Sequence, residues 1–110
     1  MARRIVIYAV VIACSLVGIY YLRAWSYERS MERRVAPIVC RNNLKVIAEA
    51  KALWVQEHHR TTNDTPAWSD LLGTDGYING REPACRSGGV YTIGRVGDSP
   101  RCSIPDHNPR

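Results

Sequence analysis

Residues 38–59, IVCRNNLKVIAEAKALWVQEHH, decide the fold because they carry the clearest helical period outside the apolar N-terminal run. Apolar and small side chains recur there at steps of three and four residues, while charged and amide side chains fall on the opposite side. The positions on the first face are Cys40, Leu44, Ile47, Ala48, Ala50, Ala52, Trp54, Val55 and His58. The sequence therefore predicts a helix with one face that another part of the chain must cover.

The cover is predicted to come from short elements that follow this helix. Residues 67–72 form a second, short helix, 90–93 have the composition of a strand, and 101–104 return antiparallel to it. The predicted fold class is α+β, in which a long N-terminal helix packs on a small antiparallel β-hairpin head. The side chains expected in the shared core are Trp54, Trp68, Leu71, Tyr91 and Ile93.

Residues 5–22, IVIYAVVIACSLVGIYYL, form an uncharged apolar run that is long enough, as a helix, to cross a bilayer core. A cleaved signal peptide would have a shorter apolar core and a small-residue cleavage site, and this run continues to Arg23 without one. A lipidated Cys14 would open a polar tether, whereas Ser15 is followed by apolar residues. The run is predicted to be a single membrane-spanning helix.

Four segments follow from this interpretation. Residues 1–4 are a cytoplasmic N-terminus, 5–22 the transmembrane helix, 23–37 a membrane-proximal helical spacer, and 38–110 the soluble head. Pro37 is expected to kink or restart the helix, because proline removes one backbone hydrogen bond and clashes with the preceding turn.

The net charge of +5 is concentrated beside the membrane. Residues 1–34 contain six arginines and two glutamates and so contribute +4 of the +5. Basic residues in that position meet anionic lipid head groups. The head has no basic face for a duplex, so no nucleic-acid partner is predicted.

The expected location is the cytoplasmic membrane, with the N-terminus inside and the head periplasmic or extracellular. Basic residues flank both ends of the span, so the positive-inside rule by itself gives a weak indication. A small soluble part with paired cysteines fits an oxidising compartment better than a reducing one. These two arguments together favour export of the head.

The pairing expected among the cysteines is a disulfide between Cys85 and Cys102, with Cys40 as a possible alternative partner. Zinc ligands usually occur in closely spaced pairs, and redox cysteines usually occur as C-x-x-C at a helix start. Neither pattern is present. A disulfide that closes a loop of this size stabilises a fold by roughly 3 kcal/mol.

No other chemistry is predicted. The sequence has no catalytic motif, so the protein is expected not to be an enzyme and to need no cofactor, metal or small-molecule substrate. His58 and His59 point in different directions on a helix, and His107 would join a metal site only by accident of folding. The carboxylates Asp64, Asp70, Asp75 and Asp98 are scattered over loops without the spacing of a calcium site.

The order of several motifs resembles a known family. CRNNLKVIAEAKALW at 40–54, PAWSDL at 66–71 and PACRSGGVYTIGRVGDSPRCSIP at 83–105 resemble the bacterial type IV pilin-like proteins and type II secretion pseudopilins, in a short variety. The likeness covers roughly residues 34–107. It implies one long helix, half in the membrane and half packed on a small hairpin head that is exported from the cytoplasm.

The N-terminus departs from the family pattern. Such proteins begin their apolar helix with glycine and phenylalanine and carry a glutamate shortly afterwards, whereas here Arg4 is followed by IVIYA at 5–9. The expected function is a non-enzymatic structural protein of a type II secretion or type IV pilus-like assembly, with other pilin-like subunits as partners. The alternative is a membrane-tethered envelope module that captures a ligand or partner protein through exposed aromatic residues around Trp68, Tyr77 and Tyr91.

Overall fold

The computed structural model describes residues 1–73 and 76–110. Its main element is helix α1, Ala2–Glu57, which has 56 residues. The chain divides into two compact units, residues 1–33 and residues 34–110. The second unit contains the end of α1 and a two-stranded antiparallel sheet. The predicted α+β class, a long N-terminal helix with a β-hairpin, is confirmed.

The first unit is helical throughout, and all its side chains are exposed. By length and composition, α1 contains one stretch near the N-terminus that is able to cross a membrane, and none of that stretch is buried. The hydroxyl of Ser15, the most polar side chain within residues 5–22, donates to the carbonyl of Val11 at 2.8 Å. This bond satisfies the hydroxyl inside the helix, which a residue in hydrocarbon requires.

The helix does not restart at Pro37, because α1 is continuous from Ala2 to Glu57. Proline removes only the hydrogen bond to the carbonyl four residues earlier. The turns that follow are held by burial, since Ala36 and Cys40 on either side of Pro37 are both inaccessible to solvent. Tertiary packing of one face therefore outweighs the local cost of the proline.

The buried face of α1 agrees with the predicted period, except that three predicted residues are exposed and two others, Ala36 and Lys51, are buried. Its buried side chains are Ala36, Cys40, Leu44, Ile47, Ala50, Lys51 and Trp54. Ala48, Ala52 and His58 were predicted on this face and are exposed. Lys51, which no apolar pattern selects, is buried instead.

The head adds short elements to this face. Helix α2, Trp68–Leu71, begins where the carboxylate of Asp70 accepts a hydrogen bond from the N–H of Ala67 at 2.8 Å. Strand β1, Tyr91–Thr92, pairs with β2, Arg101–Cys102, so that Tyr91 lies opposite Cys102. A single 3-10 turn, Pro105–His107, follows β2. Of the predicted core, Trp54, Leu71, Tyr91 and Ile93 are buried and Trp68 is half-buried.

Lys51 ties the hairpin to α1. Its ammonium group donates to the carbonyl of Ile93 at 2.7 Å and to the carbonyl of Asp98 at 2.6 Å. Burial lowers the pKa of Lys51, and the nearby Asp98 carboxylate opposes that shift. The lysine thus satisfies two carbonyls in the loop between the strands, as a buried polar group must.

Candidate metal centre

Four side chains with metal-ligating atoms converge in the head. They are Cys40 in α1, Cys85 in the loop before β1, Cys102 in β2 and His107 at the end of the 3-10 turn. One ligand atom from each lies within 4.8 Å of all the others. The chain has four cysteines and three histidines, so three of the four thiols meet here together with one imidazole. The ligand set is that of a Cys3His site.

The position of Cys40 is set by the helix and by the residue that follows it by one turn. Asn43 donates to the carbonyl of Ala84 at 3.3 Å and to the hydroxyl of Tyr91 at 3.1 Å. Tyr91 and Cys40 are both part of the buried core of the head. Asn43 therefore links α1 to the segment that carries Cys85 and to the strand that lies opposite Cys102.

Cys85 begins a tight turn that leaves room for sulfur atoms. The N–H of Gly88 donates to the carbonyl of Cys85 at 3.0 Å, and Gly88 has a φ of 79°, in the left-handed region that favours glycine. A Cβ at the next residue, Gly89, would lie 2.8 Å from the sulfur of Cys102 and 3.2 Å from that of Cys85. Because Gly89 has no side chain, the two sulfur atoms have room to pack against its backbone.

Cys102 and His107 are held together by Asn108. The N–H of Cys102 donates to the Asn108 side-chain oxygen at 2.8 Å, and the Asn108 amide donates to the carbonyl of Cys102 at 3.0 Å. The same amide also lies 3.2 Å from the carbonyl of Ile104 and 3.3 Å from that of Pro105. Asn108 therefore fixes the 3-10 turn against β2 and sets the distance between the two ligands.

A third link joins the 3-10 turn to α1. The guanidinium of Arg41, the residue after Cys40, donates to the carbonyl of Asp106 at 3.1 Å. Asp106 directly precedes His107 in the sequence. Hydrogen bonds of this kind around the ligands orient them and are part of how proteins build metal sites.

The pKa values of Cys40 and Cys85 shift in opposite directions. Burial raises the pKa of Cys40 to about 12, and the nearby Tyr91 hydroxyl only partly opposes this shift. Burial also acts to raise the pKa of Cys85, but hydrogen bonds with the backbone of Ser87 and Gly89 and contacts with His107 and Cys102 outweigh it. The resulting pKa of Cys85 is about 7.

The expected disulfide between Cys85 and Cys102 is not formed: all four cysteines of the chain are free thiols. The two sulfur atoms do approach each other, since both lie against Gly89. However, each also has Cys40 and His107 within 4.8 Å, so the environment does not select one sulfur pair. Cys14, the remaining cysteine, is exposed in the apolar run.

The argument from ligand spacing against a metal site missed this cluster. It required closely spaced pairs, whereas here each ligand comes from a different element of the chain. His107, which was expected to join a metal site only by accident of folding, is placed by the fold in the cluster: its side chain is buried and its Nδ1 lies 3.3 Å from the sulfur of Cys85. The signal that identifies the site is the order C…C…C…H, but only the fold brings those residues together.

Among the described residues, the carboxylates considered as ligands are not gathered into one site. Asp64 accepts hydrogen bonds from Thr61, Asp70 accepts one from Ala67, and Asp98 pairs with Arg95 at 2.9 Å, so that each of these three stabilises its own turn. Asp75 lies outside the described residues.

Comparison of the chain with protein-family models, curated proteins and solved structures finds no match.

Proposed function

We propose that the protein is a membrane-anchored, pilin-like structural protein of the bacterial envelope, related in function to the pseudopilins of type II secretion. The observation that carries the proposal is the difference in side-chain exposure between the two halves of α1. Its first half presents only exposed side chains, including the apolar residues 5–22, whereas its last turns bury one face under the head. A helix that is apolar all round without being buried requires a non-aqueous surrounding.

The proposed role is mechanical and depends on contacts rather than on chemistry. The cluster of three thiols and one imidazole is closed to a substrate, because its four side chains are exposed by only 0–7%. A substrate needs a concave, accessible site. The proposed partners are therefore the membrane and other pilin-like subunits.

The alternative role, capture of a ligand through an aromatic surface, has less support. It requires Trp68, Tyr77 and Tyr91 to form an exposed patch. Tyr91 is only 5% exposed, and the other two side chains are half-buried. The hydroxyls of Tyr91 and Tyr77 also make hydrogen bonds within the chain, with Asn43 and Glu57 respectively.

The proposed orientation, with the head outside the cytoplasm, rests on the family resemblance. The argument from paired cysteines no longer contributes, because the cysteines are unpaired. The basic residues on both sides of the span leave the direction to be measured.

The experiment is expression of the full chain in a bacterial host, followed by carbonate extraction of membranes and protease treatment of spheroplasts. We expect the intact chain to stay in the membrane after extraction and the head to be digested from outside. Photo-crosslinkers placed at exposed residues of α1, such as Val46 and Leu53, are expected to capture a second pilin-like subunit. Release of the full chain by carbonate, or crosslinks to lipid only, would contradict the proposal.

A further inference from the structure

We propose that Cys40, Cys85, Cys102 and His107 bind one zinc ion in a closed structural site that holds the head on α1. This inference does not depend on the pilin-like function, since it concerns only residues 34–110. It rests on the identity of the ligands, their geometry, their surroundings and the size of the core.

The spacing of the ligand atoms is within about 1 Å of that which a tetrahedral zinc ion imposes. With Zn–S near 2.3 Å and Zn–N near 2.0–2.1 Å, a tetrahedron has edges of about 3.8 Å between sulfur atoms and about 3.5 Å between sulfur and nitrogen. The edge from Cys85 Sγ to His107 Nδ1 is 3.3 Å, and no ligand pair is farther apart than 4.8 Å. Adjustments of a few tenths of an ångström to about 1 Å bring the four atoms to these edges.

Thiolate and imidazole ligands in a four-coordinate, closed arrangement fit zinc and exclude hard metal ions. Hard ions such as magnesium and calcium take oxygen ligands, and no carboxylate belongs to the cluster. Four protein ligands fill the coordination sphere of zinc and leave no position for water or substrate. The site is therefore structural rather than catalytic.

The surroundings are built to hold ligands rather than to fill a core. Gly89 leaves the space that the sulfur atoms of Cys85 and Cys102 use. The Asn108 side chain makes hydrogen bonds with the backbone of Cys102, and Asn43 donates to the carbonyl of Ala84, next to Cys85, and to the hydroxyl of Tyr91. A core that needed only apolar volume would require none of these polar contacts. The outer hydrogen bonds match the supporting shell seen around protein metal sites.

The head also needs the additional stabilisation. Its sheet consists of two strands of two residues each, and α2 has four residues. Domains of this size build small cores and commonly add a disulfide or a metal. A zinc ion at this position joins α1, the loop before β1, β2 and the 3-10 turn at one point.

Binding is a ligand exchange with a simple balance. Zn²⁺ leaves its hydration water, three thiols each lose a proton to solvent, and three Zn–S bonds and one Zn–N bond form. No electrons are transferred. The neutral imidazole contributes its lone pair, so zinc uptake releases protons and is weakened in acid.

The test uses the full chain in detergent, purified under reducing conditions, loaded with zinc chloride and dialysed. We expect about one zinc ion per chain by elemental mass spectrometry. Cys102→Ser and His107→Ala are expected to weaken zinc binding by more than about 100-fold. The matched controls are Cys14→Ser and His59→Ala, which change the same residue types outside the cluster and are expected to retain the ion.

A second measurement avoids the danger that ligand variants fail to fold. In the Cys14→Ser protein all remaining cysteines belong to the cluster. With zinc bound, iodoacetamide is expected to modify none of them. After removal of zinc by EDTA without reductant, the head is expected to lose its packing on α1, so that iodoacetamide modifies all three. Cobalt(II) in place of zinc is expected to give thiolate-to-metal charge transfer and tetrahedral ligand-field bands.

Two outcomes would overturn the proposal. Three thiols that react equally with and without zinc would mean that the cluster binds no metal. A protein in which one thiol reacts after EDTA, and the other two only after a reductant, would contain a disulfide instead. Membrane extraction and subunit crosslinking are independent of these readings, so a failure of the zinc site is distinguishable from a failure of the proposed function.

Discussion

The sulfur of Cys85 lies 3.3 Å from Nδ1 of His107, although 22 residues separate them along the chain. The antiparallel pairing of β1 with β2 returns the chain to Cys85, and the 3-10 turn then points it back toward α1. The contact therefore depends on both the strand pairing and the 3-10 turn of the head.

Gly89→Ala is expected to destabilise the protein by about 1–3 kcal/mol, the usual cost of overpacking a core. The added methyl group would lie 2.8 Å from the sulfur of Cys102 and 3.1 Å from Cγ1 of Ile104. Thermal unfolding of the zinc-loaded chain in detergent, followed by tryptophan fluorescence, measures the change. Ser87→Ala, at an exposed position of the same turn, is expected to stay within about 0.5 kcal/mol. An unchanged unfolding temperature for Gly89→Ala would mean that the sulfur atoms do not occupy this space.

Asn108→Ala is expected to lower zinc affinity by about 10–100-fold, the range for loss of an outer-shell partner. The side chain holds Cys102 and the 3-10 turn in place without touching the metal position itself. Competition with a chromophoric chelator measures the affinity. Asn42→Ala, at an exposed position of α1, is the control and is expected to bind zinc as the unmodified protein does. Equal affinities for the two variants would exclude a positioning role for Asn108.

Lys51→Met is expected to cost about 1–3 kcal/mol of stability, because the carbonyls of Ile93 and Asp98 lose their donor in a buried setting. Methionine keeps most of the side-chain volume, so the loss measures hydrogen bonding rather than a cavity. Chemical denaturation in detergent gives the free energy of unfolding. Lys45→Met, on the exposed side of the same helix, is the matched control with little expected change. An unchanged free energy of unfolding for Lys51→Met would show that the hairpin loop does not need this anchor.

Asp64→Asn is expected to destabilise the protein at neutral pH and to lose this effect in acid. Hydrogen bonds from Thr61, above all from its backbone N–H at 2.7 Å, hold the pKa of Asp64 below its ordinary value of 3.8. A depressed carboxyl pKa stabilises the folded state above the unfolded value, and the contribution disappears as the pH falls through the folded value. Unfolding temperatures of both proteins between pH 7 and pH 3 test this, because acid release of zinc affects both alike. A difference that stays constant over this range would contradict the assignment.

Ala13→Arg is expected to impair membrane insertion by roughly 2.5–3.5 kcal/mol, the cost of an arginine at the centre of a spanning helix. Residue 13 lies near the middle of the apolar run 5–22. The fraction of chain that resists carbonate extraction is the measurement. Ala24→Arg, just beyond the run and beside Arg23, is expected to insert normally. Equal insertion of the two variants would mean that residues 5–22 do not span the membrane.

Local patterns in the sequence were enough for α1 and the hairpin. Leu44, Ile47 and Trp54 follow the helical period and are buried, and the strand composition of 90–93 marks β1. These predictions succeed because a side-chain period belongs to a single element. The continuity of α1 through Pro37 and the burial of Lys51 were not predictable in the same way. Both depend on what packs against the helix, which a local pattern does not contain.

The sequence by itself determined the apolar span at 5–22, the face of α1 and the antiparallel return of the chain, since each is encoded by neighbouring residues. Only the tertiary structure decided the fate of the cysteines. Cys40, Cys85, Cys102 and His107 come from four separate elements, and which of their atoms meet depends on the strand register and on the links made by Asn43 and Asn108. A pairing inferred from two cysteines alone could not include a third thiol and an imidazole that only the fold places beside them.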